Sequence, residues 1–314
     1  TYSEPQGEYD LRCALADYVR ERRNVVTAPE HIVVGAGVQM LLEILCVLLK
    51  GRRTVSFPDG SFVQGSTVFA AHGYTVRTRY KDADIIYVSP SHMNRQGDVM
   101  PIQRRLELCA HSADTGAVVI EDDFENDFLY SSTPTPSLYA LGSGNVVYMG
   151  AFSALLLPGI RISFMVLSPT LAAAYHQMKD TFAQTASKTE QIALCAYLRD
   201  GNMKSRTKKI RRLYTGKAKT LCALLAKALP DHPVRVGENG LQVQIETPML
   251  PDSAPFEQAG LALYIVKEKS GKNIVVVSPS AVPADRLEEA AHAVAAALYK
   301  AEEAAKAKRS KDIY

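Results

Sequence analysis

The chain has 314 residues, of which 47% are hydrophobic and 22% charged, with 36 basic residues against 33 acidic ones. This composition excludes collagen-like, low-complexity and wholly disordered chains. A net charge of +3 is too weak for nucleic-acid binding by the chain as a whole. At about 150 residues per domain the length predicts two domains. No apolar run reaches the roughly 18 residues of a membrane span. The longest, Met40 to Leu49, is interrupted by Glu43. No basic-then-apolar signal segment opens the chain, which starts Thr1-Tyr2-Ser3 without Met, so a preceding segment is expected to be missing. Cys13, Cys46, Cys109, Cys195 and Cys222 are odd in number and form no C-x-x-C pair. They predict reduced, buried thiols in a cytoplasmic protein.

In chain order, Leu11 to Arg23 reads as an amphipathic helix with Leu11, Leu15, Tyr18 and Val19 on one face. His31 to Val34 reads as a buried strand, broken by Gly35-Ala36-Gly37, and Val38 to Lys50 as a helix stopped by Gly51. Strands follow at Thr54–Phe57, Tyr74–Arg77 and Ile85–Val88, with a helix through Val68–Ala71 between the first two. Ile102 to Ala113 predicts a helix, and Ala117–Ile120, Val146–Met149 and Ile162–Leu167 predict strands. Short apolar strands alternating with helices from about 30 to 170 predict an α/β, mostly parallel, doubly wound sheet. Ile162–Leu167 returns soon after Tyr148 and leaves room for one antiparallel strand. After Pro169 a helix is expected from Leu171 to about Leu198, then a long basic helix from Met203 to Leu229. Strands Leu241–Ile245 and Ile274–Ser278 and a closing helix from Asp285 complete a smaller α+β domain. The basic tail Lys306 to Lys311 is expected to fray. The expected organisation is an N-terminal arm and helix (1–29), a large domain (30–170), and connecting helices with a small C-terminal domain (171–314).

In such a sheet ligands bind beyond the carboxyl ends of the strands. Four segments lie there. Gly35-Ala36-Gly37-Val38-Gln39 opens a helix and is either a phosphate cradle or a structural turn. Ser89-Pro90-Ser91-His92 carries a lone histidine, which is a structural hydrogen-bonding residue or a catalyst. Glu121-Asp122-Asp123 and the acids after it read for the most part as solvated or capping groups. One of them could instead pair with a protonated ring nitrogen, and no His or Cys cluster accompanies them to make a metal site. Gly150 to Ala154, followed by Pro158-Gly159-Ile160-Arg161, ends in an arginine that could hold an anion or an ion pair.

Taken together and in order, these segments resemble the aminotransferase-like domain of MocR-type, GntR-superfamily transcriptional regulators. The resemblance rests on Ile120-Glu121-Asp122-Asp123-Phe124, Tyr148-Met149-Gly150-Ala151-Phe152-Ser153, Leu157-Pro158-Gly159-Ile160-Arg161, Gly37-Val38-Gln39 and Pro90-Ser91-His92. It runs from about residue 5 to 215. It implies a fold-type I pyridoxal-phosphate (PLP) transferase architecture and a homodimer. It also implies that DNA is bound only through an N-terminal winged helix-turn-helix missing from these residues.

The resemblance further implies site roles. Asp122 matches the aspartate that pairs with the PLP ring nitrogen, and Arg161 the phosphate-binding arginine. Gly37 and Val38 match the phosphate cup, and Phe62 the aromatic that stacks on the ring. His92 and Ser153 fall on the family's remaining cofactor-binding segments. Several positions depart from the pattern. Ala154 stands where the family has its Schiff-base lysine, so no internal aldimine is expected. Phe124 replaces a tyrosine, Ala151 and Ala36 replace hydroxyl residues, and Val276 falls where an arginine would clamp a carboxylate. The expected function is therefore an effector-sensing and dimerisation domain, a pseudoenzyme holding PLP at best non-covalently or another small anionic effector. The alternative is a PLP-dependent class I/II aminotransferase carrying an engineered Lys-to-Ala change at 154.

Overall fold

The computed structural model describes residues 2–94, 98–123, 136–142, 144–267 and 272–311. The chain divides near Thr207 into two compact units.

The first unit opens with α1 (Tyr9–Arg23), whose Leu11, Leu15 and Val19 recur every four residues and are buried. Seven strands follow: β1 (Ile32–Gly35), β2 (Thr54–Phe57), β3 (Thr75–Thr78), β4 (Ile85–Val88), β5 (Val118–Asp122), β6 (Val146–Ala151) and β7 (Ser163–Val166). Their order in the sheet is β1-β7-β6-β5-β4-β2-β3. From β6 to β3 all neighbours are parallel, whereas β7 runs antiparallel to both β6 and β1. Residues 152–162 are too few for the helical crossover that a parallel β6–β7 pair would need, so the chain turns back as a hairpin.

Helices α2 (Val38–Leu48), α3 (Val63–Ala71) and α4 (Ile102–Thr115) connect the strands, with a short α5 (Leu138–Leu141) before β6. Leu41, Leu42 and Leu45 of α2 meet Val55, Ile85, Ile120 and Met149 on one face of the sheet. Each such buried side chain contributes about 1.5–3 kcal/mol. Cys109 of α4, Leu138 of α5, Val119 and Val146 pack together in a second cluster. All five cysteines are free thiols, and Cys46, Cys109 and Cys195 are buried.

The single helix expected from Leu171 to Leu198 is broken. Helix α6 (Pro169–Met178) and a short turn at Lys179–Thr181 precede α7 (Lys188–Arg199). The reason lies in Gln184 and Thr185. Gln184 Nε2 donates to the carbonyls of Pro5 and Val34, its Oε1 accepts from the Ala186 amide, and Thr185 Oγ1 accepts from the Ala36 amide. These side-chain bonds compete with a continued helix. Both α6 and α7 lie within the first unit, so that unit extends well past the boundary near 170 expected from the sequence. The Glu8 amide donates to Gln191 Oε1, and Arg199 pairs with Asp10, tying α7 to the start of α1.

The second unit contains most of α8 (Asn202–Ala228), four strands and a closing helix. Strands β8 (Val234–Val236), β9 (Val243–Thr247), β10 (Tyr264–Lys267) and β11 (Asn273–Val277) form an antiparallel sheet in the order β10-β11-β9-β8. Leu221 and Leu225 of α8 and Val294 and Leu298 of α10 (Leu287–Lys311) cover it. A short helix, α9 (Ala254–Gln258), was not foreseen, and neither were β8 and β10. The backbone of α10 stays helical to Lys311, so the tail expected to fray continues the helix.

Candidate functional site

Six strands, β1, β6, β5, β4, β2 and β3, end on one edge of the first unit's sheet. The register shows this directly: Gly35 and Ala151 both face Ser163, Asp122 faces Met149, and Val88 faces Glu121. That edge carries the segments singled out in the sequence.

Two of them meet although they lie 124 residues apart. Gly37 is the N-cap of α2, with φ 92° and no side-chain cap. Arg161 follows a short turn at Pro158–Ile160 and has φ 48°, a left-handed conformation uncommon outside glycine. A Cβ at Gly37 would lie 2.5 Å from Arg161 Nη2. The guanidinium thus lies against the N-terminus of α2, where uncapped amides and the helix dipole already favour negative charge. Arg161 is exposed and has no hydrogen bond or ion pair to another described residue. Thr185, bonded to the Ala36 amide, stands at the same turn and was not foreseen. We expect Gly37→Ala to displace Arg161 and to cost about 1–3 kcal/mol from the positive φ alone. The thermal midpoint would fall by roughly 2–12 °C, and affinity for a phosphate compound would fall with it. Unchanged affinity would show that the turn holds no anion.

The second grouping surrounds Asp122, at the end of β5 and only 6% exposed. The Tyr87 hydroxyl donates to Asp122 Oδ2. Burial, then the facing carboxylate, raises the Tyr87 pKa well above its ordinary value, so the phenol stays protonated and donates. Phe62 caps the start of α3, and its ring lies 5.3 Å from that of Tyr87 at 32°. Gly65 makes room for it, since a Cβ there would overlap the Phe62 ring. Tyr87 is a partner of Asp122 that the sequence reading missed; the signal was an aromatic one residue before the end of a strand adjoining β5.

The remaining residues are placed as follows. His92 is half-buried in the turn after β4, and its amide donates to the Ser89 carbonyl. Ser153 and Ala154 sit in the turn after β6, where the Phe152 carbonyl accepts from the Leu155 and Leu156 amides. Ser153 is half-buried and Ala154 exposed. Val276 lies on β11 in the second unit, 1% exposed. Phe124 lies outside the described residues. No group of three or more His, Cys, Asp or Glu among the described residues is arranged to hold a metal ion.

Behind Asp122 the structure corrects the reading of the acidic run. Glu121 and Asp123 are not solvated; they are 0% and 7% exposed. Alternation along a strand turns them away from Asp122 to the opposite face. Arg23, at the end of α1, places Nε 2.5 Å from Asp123 Oδ2 and Nη2 3.8 Å from Glu121 Oε1. Ser91 Oγ and the Tyr148 hydroxyl also donate to Asp123, at 2.6 and 2.8 Å. Burial alone would lower the Arg23 pKa, but the facing Asp123, Tyr148 and Glu121 raise it. Burial, then the neighbouring Asp123, pushes the Glu121 carboxyl up to about 7.

Residues 1–285 match the family model for aminotransferase class I and II. The HTH-type transcriptional regulator YdeL of Bacillus subtilis is 30% identical over 288 residues, covering 87% of this chain and 60% of that protein. YhdI, another HTH-type regulator of B. subtilis, is 34% identical over 258 residues, covering 77% of this chain and 55% of that protein. The chain thus spans 55–60% of the length of these two relatives. Among solved structures, LysN, the alpha-aminoadipate aminotransferase of Thermus thermophilus complexed with N-(5'-phosphopyridoxyl)-L-leucine, superposes with a TM-score of 0.76. It is 23% identical and covers 96% of this chain and 84% of that one. The fold is the fold-type I architecture that the sequence resemblance implied.

Proposed function

Because the chain belongs to the aminotransferase class I and II family, we propose that it is the effector-sensing and dimerisation module of a transcriptional regulator, unable to hold PLP covalently. The observation that carries this reading is the Arg161–Gly37 anion cradle on the same sheet edge as a turn that offers Ala154 and no amine. Its relatives' names as regulators, and their greater length, support the rest.

PLP bound to such a scaffold supplies an electron sink to an amino-acid substrate. The residues of this chain fit its anionic and ring ends but not its attachment. Gly37 and Val38 offer amides at the start of α2, and Arg161 a guanidinium, to a phosphate. Asp122, steadied by Tyr87, would accept from a protonated ring nitrogen, and Phe62 would be the aromatic beside the ring. His92 and Ser153 wall the same edge. Ala154 brings only a methyl group, so nothing at that position can form a covalent bond to the cofactor or move a proton. Ala36 and Ala151 withdraw hydroxyl donors from the phosphate, and each lost hydrogen bond weakens binding by about 0.5–1.5 kcal/mol. The pocket is therefore read as a sensor for PLP or another small anion. DNA would be engaged through a winged helix-turn-helix preceding these residues, and the module would act as a homodimer in the cytoplasm. No helix among the described residues is long and apolar enough to cross a membrane.

The test is spectroscopic. Mixed with PLP and then borohydride, the purified chain should carry no cofactor on a pocket lysine by peptide mapping, while calorimetry detects reversible binding. Cofactor fixed to a pocket lysine would overturn the proposal. Ala154→Lys should restore covalent capture but little transamination; robust activity would favour an enzyme that has lost one lysine. Light scattering should report a dimer, and a monomer at micromolar concentration would refute the dimerisation role.

A further inference from the structure

Helix α8 has no part in the site described above. Its 27 residues include nine basic ones and no acidic one. The rest of the chain therefore holds 27 basic against 33 acidic residues, so the whole-chain charge conceals one concentrated cationic element.

Within the second unit, Ala218, Leu221 and Leu225 anchor α8 to the core. The other side of the helix faces outward. Lys208, Lys209, Arg212 and Lys219 are exposed, and Arg211 is half-buried beside them. At about 100° per residue, Lys208, Arg212 and Lys219 project within roughly 40° of one another along about 16 Å of helix. Lys209 and Arg211 flank that row. The side chains of Lys208, Lys209, Arg211 and Arg212 have no ion pair or hydrogen bond to any other described residue. Lys217 differs: its Nζ donates to the Ser280 carbonyl at 3.1 Å and lies over the Tyr214 ring.

A solvated helix face in a folded domain usually mixes signs, because like charges four residues apart repel. Here Lys208 and Arg212 accept that repulsion with no compensating carboxylate on their own helix. The chemistry of the row selects its partner. Protein interfaces deplete lysine at their centres and are built on aromatic and apolar anchors, and the row itself holds none, the exposed Leu213 and half-buried Tyr214 pointing more than about 80° to either side of it. Single-stranded nucleic acid calls for exposed aromatic stacking platforms, and the row has none. A duplex presents one negative charge per about 1.7 Å of axis to flexible cations that need no fixed direction. We propose that the outward face of α8 contacts the phosphate backbone of double-stranded DNA without reading its sequence. This rests on the reading of the chain as a regulator's module, whose operator would pass close to the protein.

The experiment is fluorescence anisotropy with a labelled duplex of arbitrary sequence and about 30 base pairs, titrated with the whole chain at 50 and 200 mM salt. Three to four phosphate contacts predict a loss of roughly 40- to 150-fold in affinity between those salts. The triple variant K208E/K209E/R212E should bind at least about tenfold more weakly at low salt and lose most of the salt dependence. Circular dichroism and PLP titration would verify its fold, with K208Q/K209Q/R212Q as the milder second variant. Binding that is unchanged in both variants would overturn the proposal, as would no binding by the parent chain. So would α8-dependent binding of polyglutamate in preference to DNA, which would make the partner an acidic protein. If a longer protein carrying the N-terminal segment still binds an operator in an effector-dependent way, any of these failures leaves the regulator reading intact. Conversely, α8-dependent DNA binding without effector response would leave this contact standing and remove that reading.

Discussion

Arg161→Ala is expected to weaken PLP binding by about 10- to 100-fold, the equivalent of one charge-assisted hydrogen bond of about 1.5–3 kcal/mol. The guanidinium lies against Gly37 at the uncapped start of α2 and has no hydrogen bond or ion pair to a described residue. Its removal therefore breaks nothing that holds the fold. Thermal unfolding of the apo protein should move little, while calorimetric affinity for PLP and for inorganic phosphate falls in parallel. Arg161→Lys should recover only part of the loss, because an ammonium cannot form the bidentate fork. Phosphate affinity that survives Arg161→Ala would place the anion site elsewhere and leave Arg161 as a turn residue.

Arg23→Ala is expected to have the opposite signature, with a large loss of stability. The change leaves Asp123 and Glu121 buried without their facing guanidinium. Breaking a buried ion pair costs about 3–5 kcal/mol, which corresponds to a fall of roughly 6–20 °C in the midpoint of the first unit. Because Asp122 lies between the two paired acids on β5, PLP affinity should fall as well. A midpoint that hardly moves would show that water or a neighbouring group replaces the guanidinium.

The same cluster sets a pH dependence. Glu121 is raised in the folded chain to about 7, above its ordinary 4.5, mainly by burial. The folded state thus binds the proton more tightly than the unfolded state does. This contribution to stability is present in full below about pH 4.5 and is lost as pH rises through about 7. Arg23 and the Tyr139 amide, which donates to Glu121 Oε2 at 3.0 Å, limit the loss. Glu121→Gln should flatten this part of the profile and stabilise the protein above neutral pH by up to a few kcal/mol. An unaltered slope between pH 5 and 8 (the usual range of maximal stability) would mean that another group titrates there.

Much of the fold and part of the site were legible along the chain, because local pattern specified them. Short apolar runs such as Thr54–Phe57 and Ile85–Val88, bounded by turn residues, became β2 and β4 at the expected positions. The segments that hold Gly37, at the opening of α2, and Asp122, at the end of β5, followed from the rule that strand ends carry ligands, and the family resemblance singled out those two residues within them. What could not be read was whatever depends on the partner of a polar side chain. The helix expected through 171–198 failed because Gln184 and Thr185 bond to the backbone of Pro5, Val34 and Ala36, more than 140 residues away.

The sequence by itself determined the alternating α/β order, the glycine-rich turn at Gly37 and the absence of an amine at 154, because periodicity, glycine and side-chain chemistry are local properties. Only the tertiary structure decided that Arg161 reaches Gly37, that Tyr87 holds Asp122, and that Glu121 and Asp123 are buried against Arg23. Each of these joins residues far apart in the chain, and in each the charge or hydroxyl takes its meaning from what faces it. An acidic run has the same letters whether it is solvated or buried. Strand alternation sends Asp122 to one face and its two neighbours to the other, and the arrival of Arg23 makes their burial possible.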